Sequence, residues 1–135
     1  TFIQPTQALR EKGVKMKLSP VKSIVKGKRI VLVDDSIVRG TTSLKIVSML
    51  REAGATEVHV RIGSAPLKYT CFYGVDIHTP EELISSSHSV DEVCKIIGAD
   101  SLAFLSHEGM LRAGRRDDLC LACFNAKYPT KLYEE

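Results

Sequence analysis

The stretch Arg29 to Ser43, RIVLVDDSIVRGTTS, decides how the rest of the chain reads. Ile30 to Val33 is a short, continuous apolar run of mostly β-branched residues, the pattern of a strand buried on both faces. It stops at two carboxylates, Asp34 and Asp35. A polar loop, Ser36 to Thr42, follows, and Gly40 is the point where its backbone turns freely. From Thr42 or Ser43 the apolar spacing becomes helical, with Leu44, Val47 and Leu50 on one side. Strand, acidic pair, small-residue loop and helix start together describe a ligand site at the carboxyl edge of an α/β sheet.

That order of residues selects a ligand. Backbone N–H groups in the loop and at the helix start lack partners, and the helix dipole favours an anion there. The hydroxyls of Ser36, Thr41, Thr42 and Ser43 offer further donors. Phosphate therefore suits the loop. Asp34 and Asp35 repel phosphate, so they face another part of the ligand: hydroxyls, a metal ion, or both. A sugar phosphate with a vicinal diol satisfies both halves, with Mg²⁺ as companion, since Mg²⁺ takes one or two carboxylates plus substrate oxygens and water. The plainer reading of Asp-Asp is a turn or a helix cap. It weakens where the pair joins an aliphatic strand to a Gly/Thr loop and a helix.

VLVDDSIVRGTTS resembles the phosphoribosylpyrophosphate (PRPP) motif of type I phosphoribosyltransferases. The flanks TFIQPTQALR, REAGATEVHVRI, CFYGVDI, EELI, GAD, CLACF and KYPT resemble, in order, the glutamine PRPP amidotransferase (amidophosphoribosyltransferase) family. The resemblance implies an α/β fold: part of a type I phosphoribosyltransferase domain, a parallel sheet flanked by helices, with a cysteine-containing C-terminal segment. It implies that Asp34 and Asp35 hold the ribose 2′- and 3′-hydroxyls beside Mg²⁺. Ser36, Ile37, Val38, Arg39, Gly40, Thr41, Thr42 and Ser43 would then cradle the 5′-phosphate. For Arg39, loop orientation and contact with a neighbouring carboxylate are both open.

The activity implied is glycosyl (pentosyl) transfer, forming 5-phosphoribosylamine from PRPP and glutamine-derived ammonia in de novo purine (IMP) synthesis. The implied partners are an N-terminal glutaminase domain, purine nucleotide inhibitors and further copies in a homotetramer. The nucleophilic N-terminal cysteine of that family is absent, position 1 being Thr, and so is the loop expected to hold pyrophosphate. The chain is expected to be a fragment that does not complete the reaction alone. It divides into 1–112, part of the transferase domain, and 113–135, a segment packing on it. The competing readings are a PRPP- or nucleotide-sensing regulatory module, which the motif alone permits, and a base phosphoribosyltransferase, for which no base-recognition hood is visible.

Four cysteines, Cys71, Cys94, Cys120 and Cys123, in a chain with no secretory signal pattern do not read as a disulfide framework. Cys120-Leu121-Ala122-Cys123 is a chelating turn usable by Zn²⁺, an iron–sulfur cluster or redox chemistry. By resemblance, Cys71, Cys120 and Cys123 match three of the four [4Fe-4S] ligands of a subgroup, the fourth lying upstream. Cys94 matches none and suits burial beside Val90 and Ile97 as a structural thiol. Zn²⁺ on all four cysteines is the alternative.

At 135 residues the chain suffices for one domain, and its 44% hydrophobic and 26% charged content is that of a globular protein. A net charge of +3 with scattered basic residues gives no nucleic-acid footprint, and no apolar run nears membrane-spanning length, so a cytoplasmic location is expected. Elsewhere the pattern predicts an extended Thr1 to Ile3, a short helix Gln7 to Lys12, and a half-exposed hairpin of Val14 to Leu18 with Val21 to Val25. Lys12, Lys15, Lys17, Lys22 and Lys26 read as a solvated face, although a polyphosphate would suit them. Gly54 closes the central helix, and Val58 to Ile62 is a strand beside the first, in a right-handed parallel βαβ unit, with His59 structural or solvated. A loop Ser64 to Gly74 and a helix Pro80 to Ser87 precede a capping box at Ser89 to Glu92, which opens a helix ending at Gly98. Leu102 to Leu105 is a buried strand, His107 to Arg112 a helix, and Ala113 to Asp118 a charged loop. Three strands make a small sheet, which again points to missing upstream parts.

Overall fold

The computed structural model describes residues 18–76 and 79–132. Helix α1 (Lys22–Val25) leads into β1 (Arg29–Asp34), then α2 (Thr41–Glu52), β2 (Glu57–Ile62), a 3₁₀ turn (Pro80–Glu82) and α3 (Ile84–Ser87). The chain continues through α4 (Val90–Ile97), β3 (Ser101–Phe104), α5 (His107–Gly114) and α6 (Ala122–Asn125). The three strands form one parallel sheet in the order β1-β2-β3. Ile30 lies opposite Val58, Leu32 opposite Val60 and Asp34 opposite Ile62, while Val60 and Ile62 face Leu102 and Phe104 of β3.

One face of this sheet holds the core. Val58, Val60 and Ile62 are buried with Val47 of α2, Val93 and Ile97 of α4, and Ile37 of the loop after β1. Period-two alternation in β2 thus meets the period-3.6 stripes of two helices, which is what an αβ layer requires. The other face is open: Val31 is 63% and Val33 72% exposed. The expectation that β1 is buried on both faces therefore fails, because α2 and α4 cover the same side.

A polar ladder crosses that open face. Arg29 Nε donates to Glu57 Oε2 at 2.7 Å, His59 Nε2 meets the same oxygen at 2.7 Å, and His59 Nδ1 meets Ser101 Oγ at 2.8 Å. The His59 and Arg29 contacts hold the Glu57 carboxyl below its ordinary range. His59 is thus a structural histidine, as its place on the polar side of the strand suggested.

Helix α2 begins at Thr41 and is closed by Ala53 and Gly54, the latter at φ +98°, the predicted C′ position. Leu44 does not join Val47 in the core; it is 43% exposed, and Leu50 is only partly buried. Ser89 and Glu92 form the predicted reciprocal capping box, and Gly98 ends α4 in the left-handed region. The second arm of the expected hairpin is α1, a single helical turn, and the first arm lies mostly outside the described residues, as does the Gln7 to Lys12 helix. The expected helix Pro80 to Ser87 is broken at Leu83, whose extended backbone separates a 3₁₀ turn from α3. Among the described residues no helix is long and apolar enough to cross a membrane.

Arg51 ties the far ends of these elements together. Its Nη2 donates to Gly98 O at 2.7 Å and to Asp100 Oδ2 at 2.9 Å, and the same carboxylate oxygen accepts the Val58 N–H at 2.7 Å. The Val58 N–H first, and Arg51 second, hold the Asp100 carboxyl below its usual range. A carboxyl depressed in the folded state stabilises above its unfolded pKa, and the contribution is lost as pH falls through the folded value. We expect Asp100→Asn to lower the thermal midpoint most near neutral pH, with the gap to wild type closing below about pH 4. A gap that stays constant across a pH series of melting curves overturns this role.

Candidate functional site: a strand-to-helix loop with two aspartates

β1 ends at Asp34 and α2 starts at Thr41, so residues 35–40 cross the carboxyl edge of the sheet. Gly63 N donates to Asp34 O at 2.9 Å, which holds the end of β1 against the loop leaving β2. Asp34 is half-buried and Asp35 exposed. Asp34 Oδ1 accepts the Asp35 N–H at 2.9 Å, and the Ser36 hydroxyl donates to Asp35 Oδ1 at 3.1 Å. These contacts fix both carboxylates at the entrance of the loop. They also engage the Ser36 hydroxyl, which the sequence reading offered to an anion.

The loop is anchored by its apolar residues. Ile37 is 2% exposed and belongs to the main core, while Val38 packs on Leu67 and Leu83 in a second, smaller core with Cys123 and Phe124. Gly40 takes φ +78° and forms the N-terminal boundary of α2, with no side-chain cap on the first helical N–H groups. Uncapped N–H groups of a 12-residue helix leave the donors an anion uses. Thr41 and Thr42 are half-buried at this end, and Ser43 is 5% exposed.

Arg39 forms an ion pair with Glu82 of the 3₁₀ turn. The contact with a neighbouring carboxylate expected as one reading of Arg39 is therefore made. Glu82, Leu83 and Ile84 are the residues that sequence reasoning missed: they touch a loop 43 positions away for the ion pair, and no spacing pattern signals such a contact.

The sulfur residues form a separate patch. Cys71 and Cys123 lie close enough to influence each other's ionisation, and Cys120 acts on Cys123 in the same way. The Val75 N–H is the largest influence holding the Cys71 thiol below its ordinary range, whereas burial first, then Cys71, pushes the Cys123 thiol up. Cys94 stands apart: its Sγ donates to Ala99 O at 3.3 Å, burial raises its pKa, and its expected neighbour Val90 is 38% exposed. Among the described residues no three His, Cys, Asp or Glu side chains converge as the cage of a single metal ion. The C-terminal segment is held to the loop after β2 by protein contacts: Lys68 and Tyr69 N–H groups both reach Cys123 O at 3.1 Å, and Tyr128 Oη donates to Thr70 O at 2.9 Å.

The parallel sheet, the aspartate pair and the loop running into α2 define this as a portion of a phosphoribosyltransferase domain, and the Phosphoribosyl transferase domain family model matches residues 2–65. The amidophosphoribosyltransferase of Bacillus subtilis is 64% identical over 100% of this chain and 30% of that protein. That of Methanocaldococcus jannaschii is 57% identical over 98% of this chain and 28% of its own length. A solved structure of the B. subtilis glutamine PRPP amidotransferase complexed with ADP and GMP superposes with a TM-score of 0.82 at 64% identity, over 99% of this chain and 31% of that one. The chain belongs to the amidophosphoribosyltransferase family and spans about 30% of the length of these curated relatives.

A Cβ on Gly40 would lie 2.9 Å from Ile84 Cδ1, and the positive φ is costly for any other residue. Gly40→Ala is expected to lose about 1–2 kcal/mol of stability in urea unfolding, from backbone strain alone. An unchanged midpoint and slope would show that the loop relaxes freely.

Proposed function

We propose that this chain is the PRPP-binding transferase portion of an amidophosphoribosyltransferase. As part of the full-length protein it binds PRPP with Mg²⁺, and that protein forms 5-phosphoribosylamine from PRPP and ammonia released from glutamine, a step of purine synthesis. The observation that carries the reading is the delivery of Asp34 and Asp35 by β1 to the mouth of a loop that ends at the uncapped start of α2. Identity along the whole chain to proteins named for this activity argues against a purely regulatory module.

The residues divide the substrate by charge. Backbone N–H groups of the loop and of the first turn of α2 hold the 5′-phosphate. Asp34 and Asp35 accept the ribose hydroxyls and lie where positive charge develops on the ring as pyrophosphate leaves C1. Fixed carboxylates need no reorganisation at that moment, so they favour the transition state over the ground state. The pair also fits Mg²⁺ in kind, as two carboxylates that leave the remaining positions to substrate and water; bound there, the ion would supply positive charge for the departing pyrophosphate. In the full-length protein, Asp34→Asn or Asp35→Asn is expected to cut turnover by about tenfold or more. Wild-type turnover in either variant overturns this assignment. Failure of calorimetry to detect PRPP binding in the presence of Mg²⁺ overturns the ligand itself.

A [4Fe-4S] cluster on Cys71, Cys120 and Cys123, with a fourth ligand elsewhere in the protein, belongs to the same proposal. The donor chemistry fits: the loop that carries Cys71 is tied by backbone hydrogen bonds to the segment that carries Cys120 and Cys123, and the Cys71 thiol is held below its ordinary pKa range. The cluster's role would be structural, bracing the C-terminal segment. The purified full-length protein is expected to absorb at about 400 nm through iron–thiolate charge transfer, and Cys123→Ser to lose that band. A colourless protein without iron overturns the cluster and leaves the PRPP site untouched. Cytoplasmic location, inhibition by purine nucleotides, an N-terminal glutaminase domain and a homotetramer complete the proposal; for nucleotides the support is the relative crystallised with ADP and GMP.

A further inference from the structure

The loop that receives the phosphate has to keep its N–H groups unpaired, and so it cannot be stiffened by its own backbone hydrogen bonds. Its support comes from three consecutive residues on another segment. Glu82 takes Arg39 in an ion pair whose side chains are 33% and 35% exposed. Leu83, 1% exposed, packs against Val38. The Ile84 N–H donates to Val38 O at 2.8 Å, and its Cδ1 fills the space beside Gly40. Residues 82–84 thus together grip loop positions 38, 39 and 40.

We propose that Glu82 is a positioning residue for the sugar phosphate: it acts through Arg39 to set the shape of the loop and touches no substrate itself. The inference rests on the PRPP reading above and names a determinant of that site. Two physical facts separate Glu82 from ordinary packing. A carboxylate beside an anion-binding loop opposes the ligand unless its charge is neutralised, and Arg39 neutralises it. A guanidinium released from Glu82 is also free to turn toward the phosphate or to solvent, and the loop backbone that carries it moves with it. The break at Leu83 serves the same end. With the backbone extended there, Leu83 enters the small core while Glu82 and Ile84 both reach the loop.

The test is made in the full-length protein, with the affinity for PRPP in the presence of Mg²⁺ measured by calorimetry and KM and kcat measured separately. Glu82→Gln is expected to weaken PRPP binding and raise KM about fivefold while kcat stays within about twofold, the scale of one partly exposed ion pair. Glu82→Asp is expected to recover part of the loss. Adding Arg39→Gln to Glu82→Gln is expected to cost far less than the two changes separately, because each removes the same contact. Unchanged affinity and KM in Glu82→Gln overturns the proposal, as does a loss of kcat and thermal stability at constant KM. Additive losses in the double variant overturn the action through Arg39. If wild type itself binds no PRPP, the ligand assignment falls and this inference with it; if wild type binds and Glu82→Gln binds equally, only the role of Glu82 falls.

Discussion

Burial of Val58, Val60 and Ile62 on one side of β2 is the constraint the rest of the fold obeys. β2 is the middle strand, and its three inward side chains are 0%, 1% and 4% exposed. α2 and α4 are placed by the need to cover them, through Val47, Val93 and Ile97. The parallel register then follows, and with it the position of Asp34 opposite Ile62 at the end of β1. A one-residue slip of β1 would send Ile30 and Leu32 to the open face and turn Asp34 away from the side that α2 covers. The aspartates are therefore where they are because of apolar packing some residues away.

A site of this kind sets stability against availability. Buried or loop N–H groups normally find partners, and a loop that is to accept an anion must keep several without them. The molecule resolves this by anchoring the loop through side chains and carbonyls. Ile37 is sunk in the main core, Val38 in the smaller one, and the Val38 carbonyl accepts from Ile84. The donors remain for a ligand while the loop keeps one shape. Gly40 contributes the change of direction, at a φ that permits the N-terminus of α2 to open toward the same point.

The parts of the fold visible in the sequence are those carried by short-range patterns. Alternation in β2, the Ser89–Glu92 box and the glycines after α2 and α4 each describe a local energy preference that the tertiary structure does not overrule. The failures have physical causes as well. A run such as Ile30 to Val33 reports apolar character but not how many faces are covered, and here only one is. Val21 to Val25 alternates weakly, yet forms a single helical turn in which Val25 is the buried residue. Leu44 fits a helical stripe and still points outward, since the stripe α2 buries is centred on Ser43 and Val47. The aspartates and the loop were legible because strand, turn and helix start are contiguous. Glu82 was not, because an ion pair closed by tertiary folding leaves no periodic trace.

The loop after β1 and the C-terminal segment meet at Leu83. That residue and Leu67 form the small core that Val38 enters from the loop side and Cys123 and Phe124 from the C-terminal side. Interiors are packed closely enough that a displacement on one side is felt on the other. The C-terminal segment has its own attachments, through the Cys123 carbonyl and through Tyr128, whose ring packs edge-on to Tyr73 with centroids 5.0 Å apart. The sulfur patch is therefore held in place by protein contacts, and it is coupled to the loop through a single shared core. This explains why Cys123, so far along the chain, sits behind a loop formed by residues 35–40: both regions draw on the same two leucines to exclude water.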